Sequence, residues 1–275
     1  MDTLHLLLMA IMQGISELFP ISSLGHSVLV PALLHWPIDR ESSWFLPFIV
    51  VLHLGTAIAL LIYFRRDWLQ LFGGLWRARG STQNPEARLF WLLVVGTVPA
   101  GLLGLLLEHR IRDLFGGFTI VAIFLALNGL LLIWGDRLKH RQARHRLEEL
   151  SWGKALGIGC AQALALIPGI SRSGASLVAG LAAGLEYDAA ARMSFLLATP
   201  IIAAAGVLEV PKLLHHAHQA PLMAIMVSGV LAGIFAYLST WFLMRYFHSH
   251  EVKALRPFGI YCLVLGLGAL AIHGI

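Results

Sequence analysis

Two polar breaks interrupt the apolar runs of this chain, and both carry residue types that handle protons or phosphate. In the first, Glu17, Ser22, Ser23 and His26 fall within ten residues, beside Pro20 and Gly25, which disfavour an unbroken helix. A carboxylate and an imidazole next to hydroxyls offer an acid–base pair and a candidate nucleophile. In the second, Pro168-Gly169-Ile170-Ser171-Arg172-Ser173-Gly174 sets one arginine among small hydroxyl residues, followed by Ala175 and Ser176. Free backbone N–H groups at a glycine-rich break, hydroxyl donors and a guanidinium make an anion cradle, and arginine suits bidentate phosphate recognition. Plainer readings exist: Glu17 and His26 pairing across a turn, and Arg172 neutralised by Glu17 alone. The first leaves the desolvation cost of two polar groups unexplained. The second is compatible with Glu17 holding Arg172 until an anion arrives.

The two breaks are variants of one sequence. Residues 13–27 align without a gap on residues 162–176, matching Gln13 with Gln162, Ile21 with Ile170, Ser22 with Ser171, Gly25 with Gly174 and Ser27 with Ser176. Hydrocarbon cannot satisfy a broken backbone, so each break must be buried in protein or line a wet cavity. Polar residues held at such a place are functional candidates.

The rest of the chain must position these breaks inside a bilayer. Of 275 residues, 58% are hydrophobic and 13% charged, against about 25% charged in soluble chains. This is the composition of an integral membrane protein. The apolar runs have helix length, which favours an all-α, polytopic helical bundle over a barrel. The length suits a single membrane domain of about eight to ten apolar helices, with no soluble domain. A net charge of +5 does not indicate nucleic acid. The basic residues sit in short loops without an aromatic-interleaved basic face, and read as topology signals and contacts to membrane lipids. Cys160 and Cys262 lie in apolar runs, so neither a disulfide framework nor a CxxC metal site is expected. Met1-Asp2-Thr3 puts no basic region ahead of the first apolar stretch, which argues against a cleaved signal peptide.

Other polar residues carry weaker signals. His53, alone in an apolar span, reads more readily as a packing residue than as a cavity wall. His215, His216 and His218 read as a solvated loop rather than a metal site. Asn128 predicts an interhelical hydrogen bond, and Gly96, Gly101 and Gly104 near Pro99 predict close packing or a kink.

Three loops are rich in Lys and Arg: Arg65 to Arg88, Arg137 to Lys154 and Arg245 to Arg256. The positive-inside rule places all three in the cytoplasm. Spans are then predicted over Phe45 to Phe64, Leu89 to Leu107, Phe118 to Trp134, Met193 to Val207 and Pro221 to Met244, with Pro31 to Trp44, Glu108 to Gly117 and Glu209 to Gln219 outside. Residues 1–35 start and end outside if Met1 is external, and residues 152–188 start and end inside, so each is a predicted re-entrant helical hairpin. The copies are then inverted repeats, with halves of roughly 1–135 and 152–275 joined by a basic cytoplasmic loop over 136–151. Broken helices of such halves meet near the midplane. A full crossing by Leu4 to Leu18 would remove the inversion.

With both motifs in view, the chain resembles the bacterial undecaprenyl-diphosphate phosphatases of the bacitracin-resistance type. Gln13-Gly14-Ile15-Ser16-Glu17 matches that family's Glu/Gln-x-x-x-Glu pattern and runs into Phe19-Pro20-Ile21-Ser22-Ser23 and Gly25-His26. Pro168 to Ser176 matches its Pro-Gly-x-Ser-Arg-Ser-Gly-Ala-Thr pattern, followed by the family-like Ala190 to Leu197. The likeness runs through essentially the whole chain. It implies removal of the terminal phosphate of undecaprenyl diphosphate at the outer face of the bacterial cytoplasmic membrane, recycling the lipid carrier for peptidoglycan and opposing bacitracin. It also implies an inverted-repeat fold, often as a homodimer, and a divalent cation, Mg2+ or Ca2+. Two positions depart from the pattern: Leu24 stands where the family usually has Thr, and Ser176 replaces the final Thr.

The expected mechanism has Ser23 attack the terminal phosphorus while His26 or Glu17 takes its proton, with direct attack by His26 as the alternative. Arg172, Ser171 and Ser173 would stabilise the equatorial oxygens, Gln13, Ser22 and Ser176 would complete the substrate site, and Glu17 would bridge a metal. The rival reading is a polyprenyl-phosphate transporter that uses the same cradle without cleavage. The proposed sidedness predicts that a cysteine in the Pro31 to Trp44 loop reacts with an impermeant thiol reagent from outside, while one in the Arg137 to Lys154 loop does not. Labelling of both from one side would end the inverted arrangement.

Overall fold

The protein's structure, a computed structural model, describes residues 3–38, 42, 44–107, 117–138, 147–215, 221–249 and 254–273. Its elements are α-helices: α1 (Thr3–Ser16), α2 (Ser23–Leu33), α3 (Phe45–Tyr63), α4 (Arg65–Arg77), α5 (Pro85–Leu106), α6 (Phe118–Gly135), α7 (Trp152–Ala163), α8 (Arg172–Ala182), α9 (Tyr187–His215), α10 (Leu222–Ser249) and α11 (Arg256–Ile272). Short 3-10 turns lie at Leu147–Glu149 and Leu164–Leu166. Among the described residues, α3, α5, α6, α9 and α10 are long and apolar enough to cross a membrane.

These fall on the five expected spans, and the shorter apolar α1, α2 and α11 bring the described apolar helices to eight. Part of the apolar sequence is spent on half-length pieces. Helix α1 has 14 residues and α2 has 11, rising about 21 and 16 Å, short of a hydrocarbon core of roughly 30 Å. Helices α7 and α8, with 12 and 11 residues, are equally short. Each pair is joined at one polar break, so the chain turns where the sequence repeats.

Two loop boundaries differ from the expectation. The basic segment after α3 folds as α4, an amphipathic helix with Leu71 and Gly74 buried and Leu69, Phe72 and Trp76 exposed. It is clamped to α5 by Asn84, whose Nδ2 donates to the Gly74 carbonyl (2.9 Å) while its Oδ1 caps α5 by accepting from Ala87 N (2.7 Å). Helix α9 runs past Glu209 and Pro211 to His215, because a proline in an apolar helix removes one donor without forcing a loop where neighbouring helices support the chain. His216 and His218 lie outside the described residues.

The helices pack as interchangeable sets. Helices α3 and α9 run antiparallel, with Leu54 at Gly206 and Phe64 beside Phe195. So do α6 and α11, with Gly129 at Gly259 and Ala122 at Gly266. Helix α1 runs parallel to α10, with Leu6 and Ile225 in one buried cluster and Gly14 at Ala232, as α7 does to α5, through Trp152 under Arg88 and Gly159 at Gly96. Helix α3 runs parallel to α10 (Gly55 at Gly229, Tyr63 by Tyr237), as α9 does to α5 (Leu197 at Gly96, Ile201 by Gly101). Exchanging α1 with α7, α3 with α9, α5 with α10 and α6 with α11 returns these six contacts in the same directions. Antiparallel self-contacts of this kind are what a duplication of opposite orientation requires.

Small residues allow these approaches. A Cβ on Gly159 would lie 2.3 Å from the Gly96 carbonyl oxygen, a backbone atom that cannot swing aside, whereas one on Gly157 would meet nothing within 4 Å. Gly159→Ala is therefore expected to cost roughly 1–3 kcal/mol, read as a lower thermal midpoint in detergent, while Gly157→Ala leaves the midpoint unchanged or raises it. Equal midpoints would remove the α5–α7 approach from the determinants of the fold.

Candidate active site

The two breaks meet inside the bundle. Ser22 and Ser171, matched in sequence, do the same local job: each precedes a helix and accepts from the backbone N–H three residues on, Gly25 at 3.2 Å and Gly174 at 3.1 Å. Their backbones differ. Ser171 is extended (φ −84°), whereas Ser22 sits at φ 68°. One side chain from α6 joins the tips: Asn128 Nδ2 donates to the Pro20 carbonyl and its Oδ1 accepts from Ser171 N, both at 3.0 Å. This is the interhelical bond expected of Asn128, and it links both breaks at once.

Glu17 lies at the junction, 7% exposed, and is the only acidic side chain among the described buried residues. Its Oε2 accepts from Ser23 Oγ at 2.5 Å and Gln13 Nε2 at 3.1 Å, and stands 3.2 Å from His53 Nε2. Its Oε1 accepts from Arg172 Nη2 at 2.9 Å. Arg172 Nη1 is anchored on the Ser194 carbonyl (3.2 Å). A carboxylate inside a bilayer is tolerable only with such partners. Beside it opens a cavity of about 220 Å3, to which Glu17, Ser22, Ser23, Ser171 and Arg172 contribute, along with apolar residues of α3 and α9.

Gln13, Ser23 and Arg172 are thus all brought onto Glu17, and Ser22 and Ser171 line the cavity. Ser173 and Ser176 lie behind it. Ser173 Oγ sits 3.2 Å from the Glu17 carbonyl oxygen, tying the second hairpin to the first, and Ser176 Oγ is 2.7 Å from both Ser194 Oγ and the Arg172 carbonyl. His26 faces away from Ser23 and does not line the cavity. Its Nδ1 lies 2.7 Å from the Ser22 carbonyl oxygen and its Nε2 2.7 Å from the Tyr261 hydroxyl. Leu24 puts an apolar wall on the cavity where the resembled family usually has a hydroxyl.

His53 corrects the packing reading. It lines the cavity, with Nδ1 2.8 Å from the Ile49 carbonyl and Nε2 on the Glu17 carboxylate. The available signal was thermodynamic: an imidazole and a carboxylate, each costly alone in an apolar chain, are cheap together. Gln162, the sequence partner of Gln13, also lines the cavity. The Oε1 atoms of both glutamines are buried without a hydrogen bond.

Those orphan oxygens bear on a divalent cation. Among the described residues no group of three or more His, Cys, Asp or Glu is placed to hold one, and Glu17 is the single carboxylate at the site. A hard cation held through one or two carboxylates and substrate phosphates is an ordinary arrangement. Glu17 with Gln13 Oε1 fits such a cation, provided diphosphate oxygens complete its shell.

Comparison with known proteins gives the family. The profile of the family described as "Bacitracin resistance protein BacA" matches residues 6–268. "Undecaprenyl-diphosphatase 2" of Chromobacterium violaceum is 60% identical, covering 98% of both chains. "Undecaprenyl-diphosphatase" of Granulibacter bethesdensis is 50% identical, over 98% of this chain and 97% of that one. "Undecaprenyl-diphosphatase" of Acidiphilium cryptum is 51% identical, over 97% and 96%. By a match that spans nearly its whole length, the chain belongs to the bacitracin resistance protein BacA family.

Proposed function

We propose that the protein hydrolyses undecaprenyl diphosphate to undecaprenyl phosphate and inorganic phosphate at the Glu17–Ser23–Arg172 cavity. The activity recycles the lipid carrier of cell-wall synthesis and opposes bacitracin. The observation that carries the mechanism is the 2.5 Å hydrogen bond from Ser23 Oγ to Glu17 Oε2, with Arg172 on the other carboxylate oxygen. A hydroxyl aimed at a carboxylate beside a guanidinium has its proton acceptor and its phosphate clamp already in place. A transporter has no use for that hydroxyl–carboxylate pair.

On arrival, the terminal phosphate takes over Arg172 from Glu17, and the apolar walls from α3 and α9 receive the first isoprene units. Ser23 Oγ attacks the terminal phosphorus in line and its proton passes to Glu17. The bond to the bridging oxygen breaks, and undecaprenyl phosphate departs with the bonding pair. Glu17 releases the proton to solvent and then takes one from a water that attacks the phosphoserine. Ser23 Oγ leaves, regains a proton, and phosphate is freed. His53 sets a polar ring beside the anion, next to the Arg172 guanidinium. A divalent cation, when bound at Glu17 and Gln13 Oε1, supplies further neutralisation of the diphosphate charge.

The resemblance to the phosphatases supports placing this multi-pass protein in the bacterial cytoplasmic membrane with the cavity open to the outer face, and loop charge supports the orientation of its spans. The paired α1–α2 and α7–α8 segments support re-entrant hairpins from opposite faces. The resemblance to the phosphatases supports a homodimer.

Phosphate release from a long-chain polyprenyl diphosphate by the purified protein, with and without chelator, tests the reading. Ser23→Ala is expected to abolish release while diphosphate binding stays within about threefold, because Arg172 and Ser171 still hold the anion. Full release by Ser23→Ala would overturn serine attack. Arg172→Lys is expected to lose at least about tenfold in rate, or roughly 1.4 kcal/mol, since a point charge cannot replace the fork. Near-normal turnover by that variant would reduce Arg172 to a distant counter-charge.

A further inference from the structure

His26 shares the first break with Glu17 and Ser23 yet turns its back on the cavity, and both its ring nitrogens are engaged. The Ser22 carbonyl oxygen can only accept, so the Nδ1 atom 2.7 Å away carries a proton. In the neutral ring Nε2 is then the acceptor, and the Tyr261 hydroxyl at 2.7 Å is its donor. The two rings lie parallel within 5°, with centroids 5.6 Å apart. His26 also sends its backbone N–H to the same Ser22 oxygen, at 3.1 Å. One carbonyl therefore receives two donors from one residue, whose ring is fixed in turn by a side chain 235 positions away on α11.

That carbonyl belongs to a residue in an expensive conformation. Ser22 has φ 68° and ψ 95° without being glycine, a state costing of order 1–3 kcal/mol that persists only where surroundings over-determine it. The second break supplies the comparison. Ser171, which matches Ser22, is at φ −84°, and Ala175 occupies the place of His26. The strained serine and the histidine occur together, in the hairpin that carries the reactive hydroxyl; the relaxed serine and an alanine occur together in the other.

We infer that Tyr261 and His26 form a positioning device for the reactive serine: through the Ser22 carbonyl they hold the Ser22–Ser23 peptide in the strained orientation that points Ser23 Oγ at Glu17. Neither residue touches the diphosphate. The kinetic part of this inference rests on the phosphatase reading above. The structural part does not.

The test combines two kinetic comparisons with one spectrum. In His26→Asn the amide Nδ2 stands near the place of Nδ1 and keeps the donor to Ser22. In His26→Gln the amide reaches the place of Nε2 and loses it. His26→Asn is expected to retain kcat within about fivefold of wild type, and His26→Gln to fall at least about tenfold below His26→Asn, with KM changed less than about twofold in both. Tyr261→Phe, which keeps the ring stack, should lower kcat about fivefold on its own and add nothing to His26→Ala in the double variant. An imidazole that itself took the proton or attacked phosphorus would be lost equally in His26→Asn and His26→Gln, and that result, or multiplicative losses in the double variant, overturns the inference. Histidine 15N spectra of the intact protein in detergent, assigned by loss of the signal in His26→Asn, should show His26 protonated at Nδ1 alone, with Nε2 shifting in Tyr261→Phe. A ring protonated at Nε2, or unmoved by Tyr261→Phe, refutes it even in a sample without turnover. Failure of the phosphatase reading shows separately, as wild-type protein that releases no phosphate.

Discussion

Placing one ionised carboxylate in the interior of an apolar bundle sets the terms for much of this structure. Glu17 would be prohibitively costly there without compensation, and the compensation comes from four places: Gln13 on α1, Ser23 on α2, His53 on α3 and Arg172 on α8. Four helices must therefore converge on two oxygen atoms. Each donor also relaxes a constraint elsewhere, since Arg172 and His53 would themselves be stranded in hydrocarbon without Glu17. The cluster is mutually obligatory, so the same contacts that make the chemistry available also fix the relative positions of the two hairpins.

The protein carries that constraint on close backbone contacts rather than on bulky packing. Gly55 against Gly229, Gly96 against Gly159 and Gly129 against Gly259 bring helices together, long and half-length alike, at points where a side chain would collide with a carbonyl. In a bilayer, where lipid tails compete equally well for apolar surface, such approaches are a main source of helix association. The tips of the half-length hairpins are held in addition by polar groups, above all Asn128 and Ser173.

Much of this was readable from residue order, and the exceptions have physical causes. Long spans announce themselves through apolar runs, and α3, α5 and α6 begin or end within a few residues of their expected bounds. Helix α4 was hidden because its arginines give a loop-like composition, while its buried stripe is only Leu71 and Gly74. The matched breaks pointed to Glu17, Ser23 and Arg172 because polarity in an apolar chain is conspicuous. The orientation of His26 was not legible: nearness to Ser23 along the chain suggests a shared cluster, but its partner Tyr261 comes from α11. His53 was undervalued for the same reason, its partner lying 36 positions earlier.

Under the exchange of hairpins, Glu17 corresponds to Leu166, Ser23 to Arg172 and His26 to Ala175. The cavity is lined from both copies, so the exchange carries it onto itself, and its furnishing is unequal, with acid and hydroxyl written into one copy and the guanidinium into the other. Asn128 makes the asymmetry irreversible in a physical sense. Its amide has a donor end and an acceptor end, and these face Pro20 and Ser171 in a fixed order. Gly129 and Gly266 exchange places under the same operation, which puts Leu265 where a second such amide would stand. A pseudo-symmetric scaffold has in this way acquired a direction, so that each duplicated half became free to specialise and neither retains a complete set of instructions.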